Sequence, residues 1–143
     1  MDKVIITRSS EETEKIGIEL ALSLRDGMVV SLVGELGTGK TTLVKGIGKG
    51  LLISYEITSP SYLLAKEYCG QLVLHHLDAY RICSIAELHE VGLDELLPPA
   101  EGVTVIEWAD RIAGMDEISD ISVSIDYLDL ESRKVAINTK KRT

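Results

Sequence analysis

The residues best suited to chemistry lie in one short stretch, Gly34–Thr41, which reads GELGTGKT. Its spacing fits G-x-x-x-x-G-K-[ST], the pattern of a phosphate-binding loop. Glycines let the backbone turn tightly and bring its N–H groups close to phosphate oxygens, and a following helix directs its positive end at the same anion. We expect Lys40 to reach the β- and γ-phosphates of a nucleotide and the hydroxyl of Thr41 to bind Mg²⁺. The pattern therefore predicts a nucleoside triphosphate as the ligand.

The flanking sequence supports this interpretation of the loop. An apolar run, Met28–Val33, precedes it and predicts a strand covered on both faces, while Thr41–Leu51 carries an apolar stripe at helical spacing. The alternative, a glycine-rich turn followed by a chance Lys-Thr pair, gives no reason for both flanking elements. The positions expected to contact the nucleotide are Glu35, Leu36, Gly37, Thr38, Gly39, Lys40, Thr41 and Thr42.

Further periodic segments predict the elements that surround the loop. The predicted strands are Val4–Thr7, Tyr62–Tyr68, Gln71–Leu77, Val103–Ile106, Ile121–Tyr127 and Lys134–Asn138, and the predicted helices are Ser10–Arg25 and Ile85–Val91. This order predicts an α/β fold, a three-layer sandwich like that of P-loop NTPases, whose mixed sheet has a parallel core and added antiparallel strands. A chain of 143 residues has the size of one domain, which we assign to residues 1–143.

Composition limits the classes of partner. The formal net charge of -8 disfavours sequence-independent binding of nucleic acid by the chain alone. No apolar run approaches membrane-spanning length, and the first residues lack the apolar segment of a signal peptide. We therefore expect a cytoplasmic protein without membrane contact.

Hydrolysis of a nucleotide needs acids beside the loop, and two acids follow apolar strands. Glu107 comes after Val103–Ile106, and Asp78 comes after Gln71–Leu77. Each would lie at the carboxyl edge of a parallel sheet, where such folds bind ligands. The alternatives are a solvated strand-end carboxylate for Glu107, and helix capping or a salt bridge with Arg81 for Asp78.

Other side chains near these segments leave their roles open. Ser59 and Ser61 fit either a mobile switch loop that contacts the γ-phosphate or simple turn chemistry. Trp108 is either a core residue or an exposed contact for a partner. The adjacent pair His75 and His76 must point to opposite faces of a strand, so we expect one inside or facing the site and the other exposed.

The identity of the nucleotide follows from a missing motif. Guanine recognition in small GTPases uses N-K-x-D, and the single Asn of the chain, Asn138, precedes Thr139. ATP is therefore the expected nucleotide.

Several separated motifs resemble those of the TsaE (YjeE) family, the bacterial ATPases of tRNA threonylcarbamoyladenosine synthesis. One departure is Ser61, where the family more often has Thr, and the hydroxyl is kept. Segments after Asp120 carry no motif. The matching motifs, in the family's order, are GELGTGKTT at Gly34–Thr42, TSPSY at Thr58–Tyr62, HLDAYR at His76–Arg81, GLDE at Gly92–Glu95 and VIEWADR at Val105–Arg111.

The resemblance implies an ATPase that needs Mg²⁺ and is slow on its own. It implies TsaD and TsaB as partners, whose complex modifies the adenosine next to the anticodon of tRNAs that read codons starting with A. The chain would contact tRNA only indirectly, through that complex. The family's metal residues fall on Thr41 and Glu107, its conserved acid falls on Asp78, and its tryptophan falls on Trp108. The catalytic set expected from loop and resemblance is thus Lys40, Asp78 and Glu107.

Two further classes of function stay open on the sequence. A regulatory module that binds ATP without needing hydrolysis is favoured by the lack of an obvious arginine finger, for which Arg81 is the candidate. A small-molecule kinase would usually carry an arginine-rich lid, whereas the six arginines here are widely scattered.

Overall fold

The computed structural model describes residues 2–35, 37–58, 65–82 and 84–140, which form a seven-stranded mixed sheet in the order β1-β7-β6-β2-β5-β4-β3. The central strands β6, β2, β5 and β4 are parallel, and β1, β7 and β3 pair antiparallel. This arrangement confirms the predicted fold class. The strands are β1 (Asp2–Thr7), β2 (Val29–Val33), β3 (Ala65–Cys69), β4 (Val73–Asp78), β5 (Val103–Glu107), β6 (Ile121–Tyr127) and β7 (Arg133–Thr139).

Two apolar layers cover the central strands. Helices α1 (Ser10–Ala21) and α2 (Lys40–Gly50) lie on one face, over side chains such as Val30 and Leu32 of β2. A smaller cluster on the other face includes Val29 and Ile106. It is covered by α3 (Ile85–Glu90), α4 (Met115–Ile118) and the short 3-10 turns Asp94–Leu96 and Ala109–Arg111. Because β2 and β5 are covered on both faces, their sequences are almost continuously apolar.

Some boundaries differ from the prediction. The first helix ends at Ala21 rather than Arg25, because the chain turns there and Asp26 accepts the backbone N–H of Gly102 at 2.7 Å. The start of the predicted strand at residues 62–64 lies outside the described residues. The short helix α4 and the turn Ala109–Arg111 were not predicted, since each is too short for a periodic signal.

Helices α1 and α2 cross at glycines. A Cβ added to Gly46 would overlap the carbonyl oxygen of Glu14, and one added to Gly17 would overlap that of Leu43. The glycines thus allow backbone-to-backbone packing that larger residues would prevent. This contact holds α2, whose first residue is Lys40, against α1. No helix in the described ranges is long and apolar enough to cross a membrane.

Gly46→Ala tests this packing. In an open helix the change would raise the free energy of unfolding by about 1 kcal/mol. Here the overlap with Glu14 reverses the sign, and we expect a net loss of about 1–3 kcal/mol from overpacking. Urea unfolding measures the difference, with Lys45→Ala on the same helix as the control. An alanine variant at least as stable as the unsubstituted protein would contradict the close approach.

Candidate nucleotide-binding site

The loop between β2 and α2 has the backbone of an anion cradle. Gly39, the residue that precedes α2, has φ of 113°, a conformation that L side chains rarely adopt. No side chain of the described residues caps this helix, so its first N–H groups stay available at the loop. The hydroxyl of Thr38 donates to the carbonyl of Glu35 at 2.8 Å and holds the loop closed on itself. Such N–H groups at a helix start favour a bound phosphate.

Lys40 is buried at the mouth of this loop, with 5% of its surface exposed. Its Nζ donates to the carbonyls of Gly34 at 2.5 Å and Glu35 at 3.0 Å. Burial lowers the pKa of the Lys40 ammonium, and the carboxylates of Glu107, Asp110 and Asp78 partly oppose this shift. The ammonium is therefore held beside the loop and inside the field of the acids at the sheet edge.

The two predicted acids are neighbours in the sheet. Asp78 at the end of β4 is in register with Glu107 at the end of β5, and Glu107 is in register with Leu32 of β2. Glu107 is 4% exposed and its Oε2 lies 2.5 Å from Nε2 of His76. The predicted strand stopped one residue short, at Ile106, and the alternative of a solvated carboxylate for Glu107 is wrong.

Asp78 is tethered by the backbone that follows it. Its Oδ1 accepts the N–H of Tyr80 at 2.8 Å, a turn that aspartate favours. Arg81 is exposed, and in the part of the chain that the structure describes it forms no ion pair with Asp78. The salt-bridge alternative for Asp78 is therefore wrong, and local turn support is the structural role that the contacts show.

Trp108 is half-buried and forms one wall beside Lys40. Its φ of 60° is unusual for a residue with a side chain, and its ring centroid lies 3.9 Å from the Lys40 ammonium. Tyr80 meets the ring edge-on at 5.0 Å, and the guanidinium of Arg111 lies 4.4 Å from the Tyr80 ring. The ring packs on the core and borders the site at once, so a core position describes only part of its surroundings, and the contact with a partner stays a prediction.

A cavity of about 190 Å³ lies on the outer side of the loop. The side chain of Arg133, on β7, donates from Nε to the carbonyl of Thr38 at 3.2 Å, and its guanidinium lies 4.4 Å from the ring of Tyr127. Only the loop residues of this cavity were predicted, because the others come from the two ends of the chain and carry no motif. The cavity is lined by Ser9, Ser10, Thr13, Gly37, Thr38, Gly39, Thr42, Glu131 and Arg133.

The remaining predictions have mixed outcomes. Thr41 is half-buried in the first turn of α2, next to Lys40, whereas Leu36, Ser59 and Ser61 lie outside the described residues. The prediction of one exposed histidine is wrong. His76 is fully buried, and His75 is only 9% exposed, with Nε2 3.0 Å from the carbonyl of Glu101.

The observed donors fit MgATP. Uncapped N–H groups and a buried ammonium suit phosphates. Hydroxyl and carboxylate oxygens suit Mg²⁺, which proteins hold through few side chains and the phosphates themselves. Fold and site together define an α/β protein of the phosphate-binding-loop class.

Comparison with known proteins gives the family. The family model described as "Threonylcarbamoyl adenosine biosynthesis protein TsaE" matches residues 7–135. The tRNA threonylcarbamoyladenosine biosynthesis protein TsaE of Treponema pallidum is 36% identical over 132 residues, which is 92% of this chain and 97% of that protein. The protein of the same name from Nostoc is 39% identical, over 96% of this chain and 85% of its own. The crystal structure of YdiB from Bacillus subtilis superposes with a TM-score of 0.76 at 31% identity, covering 97% of this chain and 86% of that one. The chain belongs to the TsaE family.

Gly39→Ala tests the loop conformation. Both Gly39 and Gly92 have positive φ, and a Cβ at either position meets no atom closer than 3.8 Å. Alanine at either position should therefore cost similar stability, about 1–3 kcal/mol of backbone strain. Only Gly39→Ala should also weaken binding of pyrophosphate, measured by calorimetry, because only this strain distorts the cradle. Equal pyrophosphate affinity in the two variants would contradict the role assigned to the loop.

Proposed function

We propose that this chain is a Mg²⁺-dependent ATPase that supports the formation of threonylcarbamoyladenosine on tRNA. The observation that carries the proposal is the position of the Lys40 ammonium, beside the loop and within the field of Glu107 and Asp78. The names of the TsaE relatives support the pathway. The family resemblance supports TsaD and TsaB as partners and a cytoplasmic location.

Each residue of the site has a distinct task in this mechanism. The loop N–H groups and Lys40 would bind the β- and γ-phosphates, and the Lys40 ammonium, which now donates to the carbonyls of Gly34 and Glu35, would donate to phosphate oxygens instead. Thr41 and Glu107 would hold Mg²⁺, which when bound neutralises charge that develops on the phosphates. Asp78 keeps one carboxylate oxygen beyond its turn contact, with which it orients the attacking water.

The nucleoside end of ATP belongs in the cavity outside the loop. Gly37, Thr38 and Thr42 belong to the loop and also line the cavity, so a nucleotide whose phosphates bind the loop would have the cavity beside it. Arg133 forms the opposite wall and is anchored to Thr38, which orients its guanidinium. The absence of N-K-x-D in the sequence favours adenine over guanine.

Partner contact is proposed through protein and not through RNA. A net charge of -8 makes direct binding of tRNA phosphates unfavourable, so we place tRNA with the TsaD–TsaB complex. Trp108 and Arg81, with Ser59 and Ser61, remain the candidates for sensing a partner or for switching. Tyr80 is 49% exposed beside Trp108, which gives such a partner direct access to this side of the site.

A regulatory ATP-binding module is the second candidate. It is favoured by the lack of an obvious arginine finger in the sequence, for which the exposed Arg81 is the candidate. Repeated rounds of tRNA modification with a non-hydrolysable ATP analogue would establish this second function. A single round followed by arrest would support the ATPase.

Lys40→Ala and Glu107→Gln test the proposed chemistry. We expect each to reduce ATP hydrolysis in the presence of TsaD and TsaB by about 100-fold, because Lys40→Ala removes the cation beside the phosphates and Glu107→Gln removes a charged ligand of the proposed Mg²⁺. Lys45→Ala, on the same helix, is the control and should hydrolyse ATP normally. Unchanged rates in the two site variants would refute their assignment.

Arg133→Ala tests the proposed nucleoside cavity. We expect ATP affinity to fall by about 10-fold, the loss of one hydrogen bond from a charged group. Affinity for tripolyphosphate should fall less, because this anion lacks the nucleoside. Lys134→Ala, the exposed neighbour on β7, serves as the control. An equal loss for both ligands would mean that Arg133 acts through the loop alone.

A further inference from the structure

His76 is a polar side chain in an apolar position. It lies on β4 between Leu74 and Asp78, on the face that α1 and α2 cover, and its surface is fully buried. Across the parallel pair it stands opposite Val105, while Glu107 stands opposite Asp78. Since residues two apart share a face, His76 and Glu107 meet diagonally between the strands.

The polar contact of the His76 ring is made to the acid of the site. Nε2 lies 2.5 Å from Oε2 of Glu107, whereas Nδ1 is buried and has no hydrogen-bond partner among the described residues. A carboxylate oxygen can only accept a hydrogen bond, so the ring nitrogen that faces it, Nε2, is the donor. Because Nδ1 has no partner, burying this ring costs the free energy of desolvating that nitrogen. An apolar side chain would fill the same space without this cost.

The contact with His76 distinguishes the two carboxylate oxygens of Glu107. Oε2 is taken by the imidazole, so Oε1 is the oxygen left for a cation at the sheet edge. Glu107 ends β5 in register with Leu32 of β2, the strand that leads into the loop, and its charge opposes the lowering of the Lys40 pKa. Without His76 the buried Glu107 carboxylate would lose this hydrogen-bond donor, and its Oε2 would be left unpaired.

We propose that His76 is a positioning residue, which fixes the Glu107 carboxylate through Nε2–H···Oε2 and presents Oε1 to the Mg²⁺ of MgATP. This inference rests on the proposed role of Glu107 as a metal ligand. Partners of this kind orient metal ligands in many proteins, and their loss weakens metal binding by about 10- to 100-fold. The competing explanation is that the His76–Glu107 contact only stabilises the pairing of β4 with β5 and has no effect on metal binding.

The test compares variants of His76 whose side chains differ in whether a donor can reach the Glu107 carboxylate. The amide of His76→Gln lies near the former Nε2 and can still donate to Glu107, whereas the amide of His76→Asn lies near the former Nδ1 and cannot. His76→Leu removes the donor, and His75→Leu is the matched control on the other face of the same strand. The measurement is Mn²⁺ affinity by electron paramagnetic resonance, in the complex with a non-hydrolysable ATP analogue. Binding of that analogue in EDTA, together with thermal unfolding, reports on loop and fold.

The expected pattern separates positioning from strand pairing. His76→Leu and His76→Asn should weaken Mn²⁺ binding by about 10- to 100-fold, His76→Gln should stay near the unsubstituted protein, and analogue binding in EDTA should be unchanged. If His76→Leu does not fold, the Gln and Asn variants decide. Equal Mn²⁺ affinity in these two variants, or an equal loss in His75→Leu, would overturn the proposal.

A Glu107→Gln arm separates this inference from the proposed function. If Glu107→Gln weakens Mn²⁺ binding and the His76 variants do not, the positioning role is overturned and the metal role of Glu107 stands. If Glu107→Gln binds Mn²⁺ normally, the metal role is refuted and the inference about His76 falls with it.

Discussion

The buried charge of Lys40 is the constraint on which the site depends. An ammonium removed from water needs compensation, and here the compensation comes from two loop carbonyls, the Trp108 ring and acids at the ends of β4 and β5. The carbonyls require the tight turn at the loop. The acids require parallel pairing of β2, β5 and β4 in one register. Loop and sheet are thus linked because both supply groups that compensate the buried Lys40 charge. Bound phosphates would compensate the same charge.

The sequence predicts the loop and the central strands well, because the patterns that identify them lie within short segments of the chain. Apolar runs identify the central strands, and Ile121–Tyr127 is predicted with the bounds that the structure has. The positions of Glu107 and Asp78 are predicted by their place directly after apolar runs. The contact between His76 and Glu107 is not predictable in this way, since it joins residues 31 apart and depends on strand register. The burial of His75 is unpredictable for a related reason, because Glu67 and the carbonyl of Glu101 approach it from other segments.

Glycines in α2 also show why local propensity misleads. They weaken an isolated helix, yet Gly46 lets α2 lie against the backbone of α1. The capping residue of α1, Ser9, and its Thr13 reach the cavity beside the loop. Close packing of the two helices therefore holds both the phosphate cradle and one wall of the cavity. A stronger helix former at Gly46 would improve the local element and disturb the site.

The two acids are held by different parts of the molecule. Glu107 contacts the fully buried side chain of His76, and Asp78 accepts the backbone N–H of Tyr80. Arg111 and Trp108 extend this exposed side through ring contacts. Tyr80, the residue that holds Asp78, is 49% exposed, whereas His76, which contacts Glu107, has no exposed surface. The two acids at the ends of β4 and β5 are therefore held independently, one by a side chain of the core and the other by the backbone of an exposed residue.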